Sequence, residues 1–252
     1  MTSVQPRDMD ERTWWDFWNG SYRAQDKLDE TSSELFQRAA AVVNEFTRNR
    51  SARVLEIACG TGAFSRHLMF SSYHGLDLSP GAIEVARQKA QQTPSPGGRS
   101  LPTFEAADFH EWPLPPESFD VVVCVDAISA FRDQALVMRK MKDGLRPSGK
   151  LILTTVNPFV YNRIRRSAAQ PLEVGPVSHW LSRRELHELI TSAGLIIERS
   201  YTIMPRGNLG VLRVINSRRL NQAFGPAAAA ALRRLKEKTG IGQYRLVVAR
   251  KG

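Results

Sequence analysis

The stretch from Arg53 to Phe64, RVLEIACGTGAF, limits what this chain can fold into more than any other. Arg53 to Ala58 is a short apolar run rich in branched side chains, the pattern of a strand buried on both faces. Cys59, Gly60, Thr61 and Gly62 break that periodicity, and Ala63, Phe64, His67, Leu68 and Met69 resume it at helical spacing. The expectation is a strand, a glycine turn and a helix start, where backbone amides can approach a ligand closely. Glu56 is acidic inside an otherwise apolar strand. Ionised carboxylates are rarely buried alone, so it either lies at an exposed strand end or meets a partner.

The pattern alternates on both sides of this stretch. Upstream, TWWDFWNGSY (Thr13 to Tyr22) is apolar almost all round as a helix, so it must pack on the core or close over a ligand. Leu35 to Phe46 reads as an amphipathic helix. Downstream, Tyr73 to Leu78 is a second strand carrying Asp77. Ser79 and Pro80 then open a helix with Ile83, Ala86 and Ala90 on one face. Thr103 to Ala107 is a short third strand ending at Asp108, and Phe119 to Val125 is a fourth ending at Asp126. A helix bearing Val137, Met138 and Met141 stops at Gly144, and the turn RPSGK (Arg146 to Lys150) feeds a fifth strand, Leu151 to Val156. Residues 157–180 are irregular and basic. Ser182 and Glu185 make a capping box, with Leu181 and Leu186 as its staple, for a helix reaching Gly194. Leu195 to Ile203 is a sixth strand, 204–240 an insertion with a helix around Ala227 to Lys238, and Gln243 to Arg250 a last strand able to pair antiparallel with the sixth.

Strands alternating with helices predict an α/β fold with a doubly wound, mostly parallel sheet. A length of 252 residues with 42% hydrophobic content fits one domain. Within it, 1–50 is a helical cap, 51–160 the ligand-binding core, and 157–180 and 204–240 insertions over a pocket. The net charge of +10 admits nucleic acid, an anionic membrane surface or an acidic substrate, and much of it comes after residue 139. Cys59 and Cys124 carry no metal-ligand spacing, so no metal is expected and a reduced, cytoplasmic protein is. No apolar run approaches a membrane span, and the first residues lack a leader's apolar core. Oligomeric state is not legible.

In doubly wound sheets ligands sit beyond the carboxyl ends of the strands. Glu56, Asp77, Asp108 and Asp126 all fall at or near such ends, which suggests a polar ligand read along one edge. A nicotinamide fingerprint fails because Ser65 stands at the third glycine position, and no Gly-Lys-Ser/Thr marks a P-loop.

The pattern E-x-A-C-G-T-G followed by Asp77 resembles the first motifs of class I S-adenosylmethionine-dependent methyltransferases. The likeness continues through Ala107-Asp108-Phe109, FDVVVCVDA, LRPSGKLIL and the closing antiparallel strand. It implies a Rossmann-like seven-stranded sheet with an antiparallel last strand, helices on both faces, and S-adenosyl-L-methionine as cofactor. Ala58 departs from the glycine usual in the family and narrows the pocket floor. The resemblance implies that Asp77 accepts both ribose hydroxyls and Asp108 the adenine amino group, with Leu78 and Phe109 on the ring faces. Gly60 and Gly62 would admit the methionine portion, Glu56 would sit near its ammonium, and Val125 would line the sulfonium side. Phe64 and Ala107 belong to the same motifs. Trp18 and Tyr22 match an aromatic segment that closes over the cofactor in similar small-molecule enzymes.

Methyl transfer to a hydroxyl or amine requires positioning and removal of a proton. Asp126, His110 and His179 are candidate bases. The segment His179-Trp180 before the capped helix resembles the ubiquinone-type O-methyltransferases. A small-molecule acceptor, most simply a hydroxyl, is the leading expectation. The alternatives are an RNA methyltransferase and a cofactor-binding accessory protein without turnover. Nucleic acid is disfavoured because Asn157-Pro158-Phe159 follows the fifth strand, not the fourth, and reads as a turn. Gly207 to Phe224 leaves contact with anionic lipid open.

Overall fold

The computed structural model describes residues 16–17, 33–48, 51–92, 100–160, 180–203, 230–231, 234–235 and 240–252. Seven apolar runs pair into one sheet: β1 (Arg53–Ile57), β2 (Ser72–Asp77), β3 (Thr103–Ala106), β4 (Phe119–Val125), β5 (Leu145–Val156), β6 (Leu195–Ile203) and β7 (Tyr244–Lys251). Their order is β3-β2-β1-β4-β5-β7-β6. β1 pairs parallel with β2 and β4, β2 with β3, and β4 with β5. β7 runs antiparallel to both β5 and β6. The winding direction reverses between β1 and β4, which leaves a crevice beyond the ends of those strands.

Alternation along β4 shows how the core divides. Val121, Val123 and Val125 enter one cluster, Val122 and Cys124 the other. The first cluster is covered by α1 (Ser33–Thr47), through Leu35, Ala39, Val42 and Val43, and by Ile83 and Ala86 of α2 (Pro80–Gln92). On the opposite face lie α3 (Gln134–Gly144), with Val137, Met138 and Met141, and α4 (Arg183–Ser192), with Leu186 and Ile190. Both strand faces are therefore dry, which is why the strands read as continuous apolar runs.

The capping box of α4 is present: the Ser182 side chain accepts from Glu185 N, and the Glu185 carboxylate accepts from Ser182 N. Leu181 and Leu186 are both buried beside it. Gly144 does end α3, but for a different reason than a left-handed stop. A Cβ there would come within 2.9 Å of Leu114 Cδ2. The RPSGK turn is absorbed as an irregularity in β5, whose pairing jumps from Phe119↔Leu145 to Val121↔Lys150, with Ser148 at φ 62°. Asn157 is a fastener. Its side-chain amide donates to Gly240 O at 2.9 Å and Gly242 O at 2.8 Å, tying the end of β5 to the start of β7.

One expected element is much shorter than its pattern suggested. After the glycine turn only a single 3-10 turn, Phe64–His67, forms before β2 begins at Ser72. Leu68 is already extended at φ −98° and ψ 150°, because few residues remain to return the chain to the sheet. The expected helix start as an amide-rich ligand site is thus not built there. The aromatic segment around Trp14 and Trp15, residues 161–179, and most of the 204–240 insertion with its helix fall outside the described residues.

Candidate active site

The glycine turn follows β1 at the reversal point. Ala58, Gly60 and Gly62 adopt φ of 57°, 54° and 73°, so the chain coils tightly in the left-handed region. Gly62 is required sterically as well, since a Cβ would lie 2.9 Å from Phe104 Cζ and 3.0 Å from Ala86 Cβ. The turn is fixed by Cys59 N donating to Leu76 O at 2.9 Å and Gly62 N donating to Cys59 O at 3.0 Å. Phe64 corrects its expected place in the pocket. It is 1% exposed and meets Phe36 edge-on at 5.7 Å, so it anchors the turn from the core side.

Asp77, the last residue of β2, locks onto this turn. Its Oδ2 accepts from Gly60 N at 2.8 Å and its Oδ1 from Ser79 N at 2.9 Å. Burial pushes its pKa up, and the hydrogen bonds from Ser79, Gly60 and Leu78 pull against that rise. A carboxylate has about four lone-pair positions, so with three amides donating to it Asp77 keeps capacity for about one more donor. Ala107 N donates to Asp77 O at 2.9 Å, which brings the end of β3 alongside.

Glu56 is buried, not at an exposed end. Tyr73 on β2 donates its hydroxyl to Glu56 Oε2. Burial, then the Glu56 charge, holds the Tyr73 pKa well above its usual value, so the phenol stays neutral and donates. Sequence reading missed Tyr73. The signal was available, because Glu56 stands opposite Gly75 on β2 and Tyr73 lies two residues along on the same face.

Asp108 follows β3. Its Oδ1 accepts from His110 N at 2.9 Å and lies 2.8 Å from His110 Nδ1, while Arg132 stands 3.8 Å from Oδ2. Its pKa is lowered, chiefly by the His110 hydrogen bond. His110 Nε2 in turn accepts from Asp133 N at 3.4 Å, so both ring nitrogens are engaged and His110 is not a free base. Phe109 is 3% exposed within the core under α3, with the Lys140 ammonium 5.2 Å over its ring. It therefore packs inward where an adenine-facing ring was expected. Leu78 and Ala107 are half-buried, and Val125 is buried at the end of β4.

Asp126 adopts φ 55°, and its backbone N donates to Thr154 O and Oγ1, both at 3.0 Å. The residue as a whole is exposed, yet desolvation of its carboxyl raises the pKa to about 7 against a hydrogen bond from Val156. Along the sheet edge the order is then Asp108, Asp77, the glycine turn, Asp126. Trp18, Tyr22 and His179 lie outside the described residues. Among the described residues no group of three or more His, Cys, Asp or Glu is placed to hold a metal ion.

The family described as "Methyltransferase domain" matches residues 28–199. Over 155 residues the chain is 26% identical to the mitochondrial ubiquinone biosynthesis O-methyltransferase of Schizosaccharomyces pombe, a match covering 61% of this chain and 54% of that protein. Over 187 residues it is 26% identical to the malonyl-[acyl-carrier protein] O-methyltransferase of Paenibacillus sp., covering 69% and 66%. The chain thus spans between 54% and 66% of the length of these curated relatives. A solved S-adenosylmethionine dependent methyltransferase from Mesorhizobium loti superposes with a TM-score of 0.58 at 21% identity, over 85% of this chain and 96% of that one. At that identity the likeness shows the fold alone.

Proposed function

The chain belongs to the methyltransferase-domain family, and from that premise we propose that it is an S-adenosylmethionine-dependent enzyme that methylates a hydroxyl oxygen of a small-molecule acceptor. The observation carrying this reading is the Asp77–Gly60 bond, which sets a buried carboxylate with a spare lone pair against a turn of left-handed residues. The donor set fits the cofactor. Asp77 can take a ribose hydroxyl on its remaining acceptor position, and the turn at Gly60 and Gly62 lets main chain approach the methionine portion. Glu56, with Tyr73 holding one of its oxygens, supplies negative charge for the ammonium. Asp108, kept ionised by His110, is the acceptor for the adenine amino group. Ala58, Leu78, Ala107 and Val125 form the apolar lining.

When bound, S-adenosylmethionine supplies an electrophilic methyl group on a sulfonium. The protein's own part is to align the acceptor and remove its proton. Asp126 suits that second task. With a pKa of about 7 it is a stronger base than an ordinary carboxylate, and it stands at the end of β4. The names of the relatives support oxygen as the methylated atom.

Calorimetric titration with S-adenosylhomocysteine, with NAD as control, tests the cofactor. Binding of the first and not the second is expected. Binding of NAD alone would overturn the reading.

A further inference from the structure

Arg245 is the second residue of β7 and is 8% exposed. Its register partners are Thr155 on β5 and Thr202 on β6, so strands flank it on both sides. Val247 and Ala249, on the same face by alternation, belong to the core under α3 and α4. The guanidinium has a fully buried Nε with no hydrogen-bond partner among the described residues. No carboxylate among those residues acts on it. The charge it feels is that of Arg183, which adds to burial in lowering its pKa.

Arg183 is exposed at the first position of α4, in the turn closed by the Ser182–Glu185 capping box. One turn on, His187 Nε2 lies 2.8 Å from Ser200 Oγ of β6. Burial and the two arginines depress the His187 pKa. Three cationic or potentially cationic groups therefore gather here, and the carboxylate in this turn, Glu185, is engaged in the capping box and not with Arg245. An unpaired buried charge destabilises a fold strongly, and such local inconsistency belongs at functional sites.

The location gives that charge a use. β7 is antiparallel to β5, so its first residues lie beside the carboxyl end of β5, on the same edge as the glycine turn. Asp126 binds Thr154 of β5, and Arg245 is paired with the next residue, Thr155. Neighbouring strands lie about 4.8 Å apart, which places Arg245 on a strand roughly 10 Å beyond that of Asp126.

We propose that Arg245 and Arg183 form an oxyanion subsite, and that the methyl acceptor carries a carboxylate or phosphate about 10 Å from the oxygen that is methylated. This rests on the methyl-transfer reading above. The guanidinium fork engages either oxyanion, and Arg183 adds to the positive field around it.

The test titrates benzoate and inorganic phosphate, separately, into the full chain at low ionic strength, with and without S-adenosylhomocysteine. At least one anion binds the parent. Arg245→Met weakens it tenfold or more, leaves S-adenosylhomocysteine affinity within twofold, and melts no lower than the parent. Should that variant not fold, Arg183→Gln at the exposed helix start is expected to weaken the same anion at least threefold. Preference for benzoate assigns a carboxylate and preference for phosphate a phosphoryl group. A parent that binds neither, or an Arg245→Met variant that binds as tightly as the parent, overturns the proposal. Failure of the parent to bind S-adenosylhomocysteine would instead strike the cofactor reading, while the titration without that ligand still reports on Arg245.

Discussion

Replacing Asp77 with alanine should damage the fold and the ligand site together, and the two losses can be separated. The carboxylate accepts from Gly60 N at 2.8 Å and from Ser79 N at 2.9 Å. Removing it leaves both amides without that acceptor, and each orphaned donor costs about 1–3 kcal/mol. Part of this is returned, because burial already disfavours the charge and raises its pKa. The net loss is about 2–4 kcal/mol, or a melting temperature lower by roughly 4–16 °C. S-adenosylhomocysteine should weaken by more than this loosening explains, since a charge-assisted bond to a hydroxyl contributes about 1.5–3 kcal/mol, roughly 10- to 100-fold in Kd. Asp77→Asn keeps one acceptor oxygen but sets an NH2 group against the second amide. It should lose about half as much stability while still forfeiting most of the affinity. Calorimetric melts and titrations on the three proteins are the assay. An alanine variant melting within about 2 °C of the parent would show that the clamp does not organise the turn. Unchanged ligand affinity would refute the ribose role.

Ala58→Gly should stabilise. A left-handed φ of 57° costs a non-glycine residue roughly 1–2 kcal/mol, and glycine's extra chain entropy takes back about 0.5–1 kcal/mol. The melting temperature should rise by about 1–4 °C, and a fall of more than about 1 °C would contradict the strain argument. Asp126→Asn should lower turnover about 100-fold or more, and the parent's rate should climb as pH rises through about 7. In stability the sign reverses. The folded carboxylate holds its proton up to about 7, above its ordinary value of 3.8. The parent therefore loses stability as pH rises from about 4 to about 7, and the Asp126→Asn variant avoids that loss, by about 1 kcal/mol or less given the residue's exposure. Melts on either side of that window would show it. At Gly75 an added Cβ would sit 2.9 Å from both Cys59 Sγ and Phe104 Cδ1. Gly75→Ala should destabilise by about 1–3 kcal/mol in urea melts and weaken cofactor binding by displacing Cys59.

The strands were legible because both their faces are dry, so each is an apolar run stopped by a polar residue. That same pattern displayed Asp77, Asp108 and Asp126 at the stops. What lies between strands was harder. Phe64, His67 and Leu68 have helical spacing, but the distance back to β2 allowed only one 3-10 turn. Phe64 and Phe109 read as pocket aromatics, since sequence does not say which side of a turn a ring takes; both face inward. Neither the φ of Asp126 nor its raised pKa can be seen without the neighbouring strands. Arg245 looked like an ordinary polar residue of a final strand, and its isolation emerges only from the pairing of β7 with β5 and β6.

The position of β7 also bears on how the polypeptide is made. Among the described residues β6 has no sheet neighbour except β7, and β5 borders β4 and β7. A nascent chain lacking Tyr244–Lys251 would present two open hydrogen-bonding borders flanking a slot one strand wide. Such borders invite pairing with other chains. Ribosome-bound intermediates should therefore lean on chaperone shielding until β7 emerges and slides in as a keystone, aligned by the grip of Asn157 on Gly240 and Gly242.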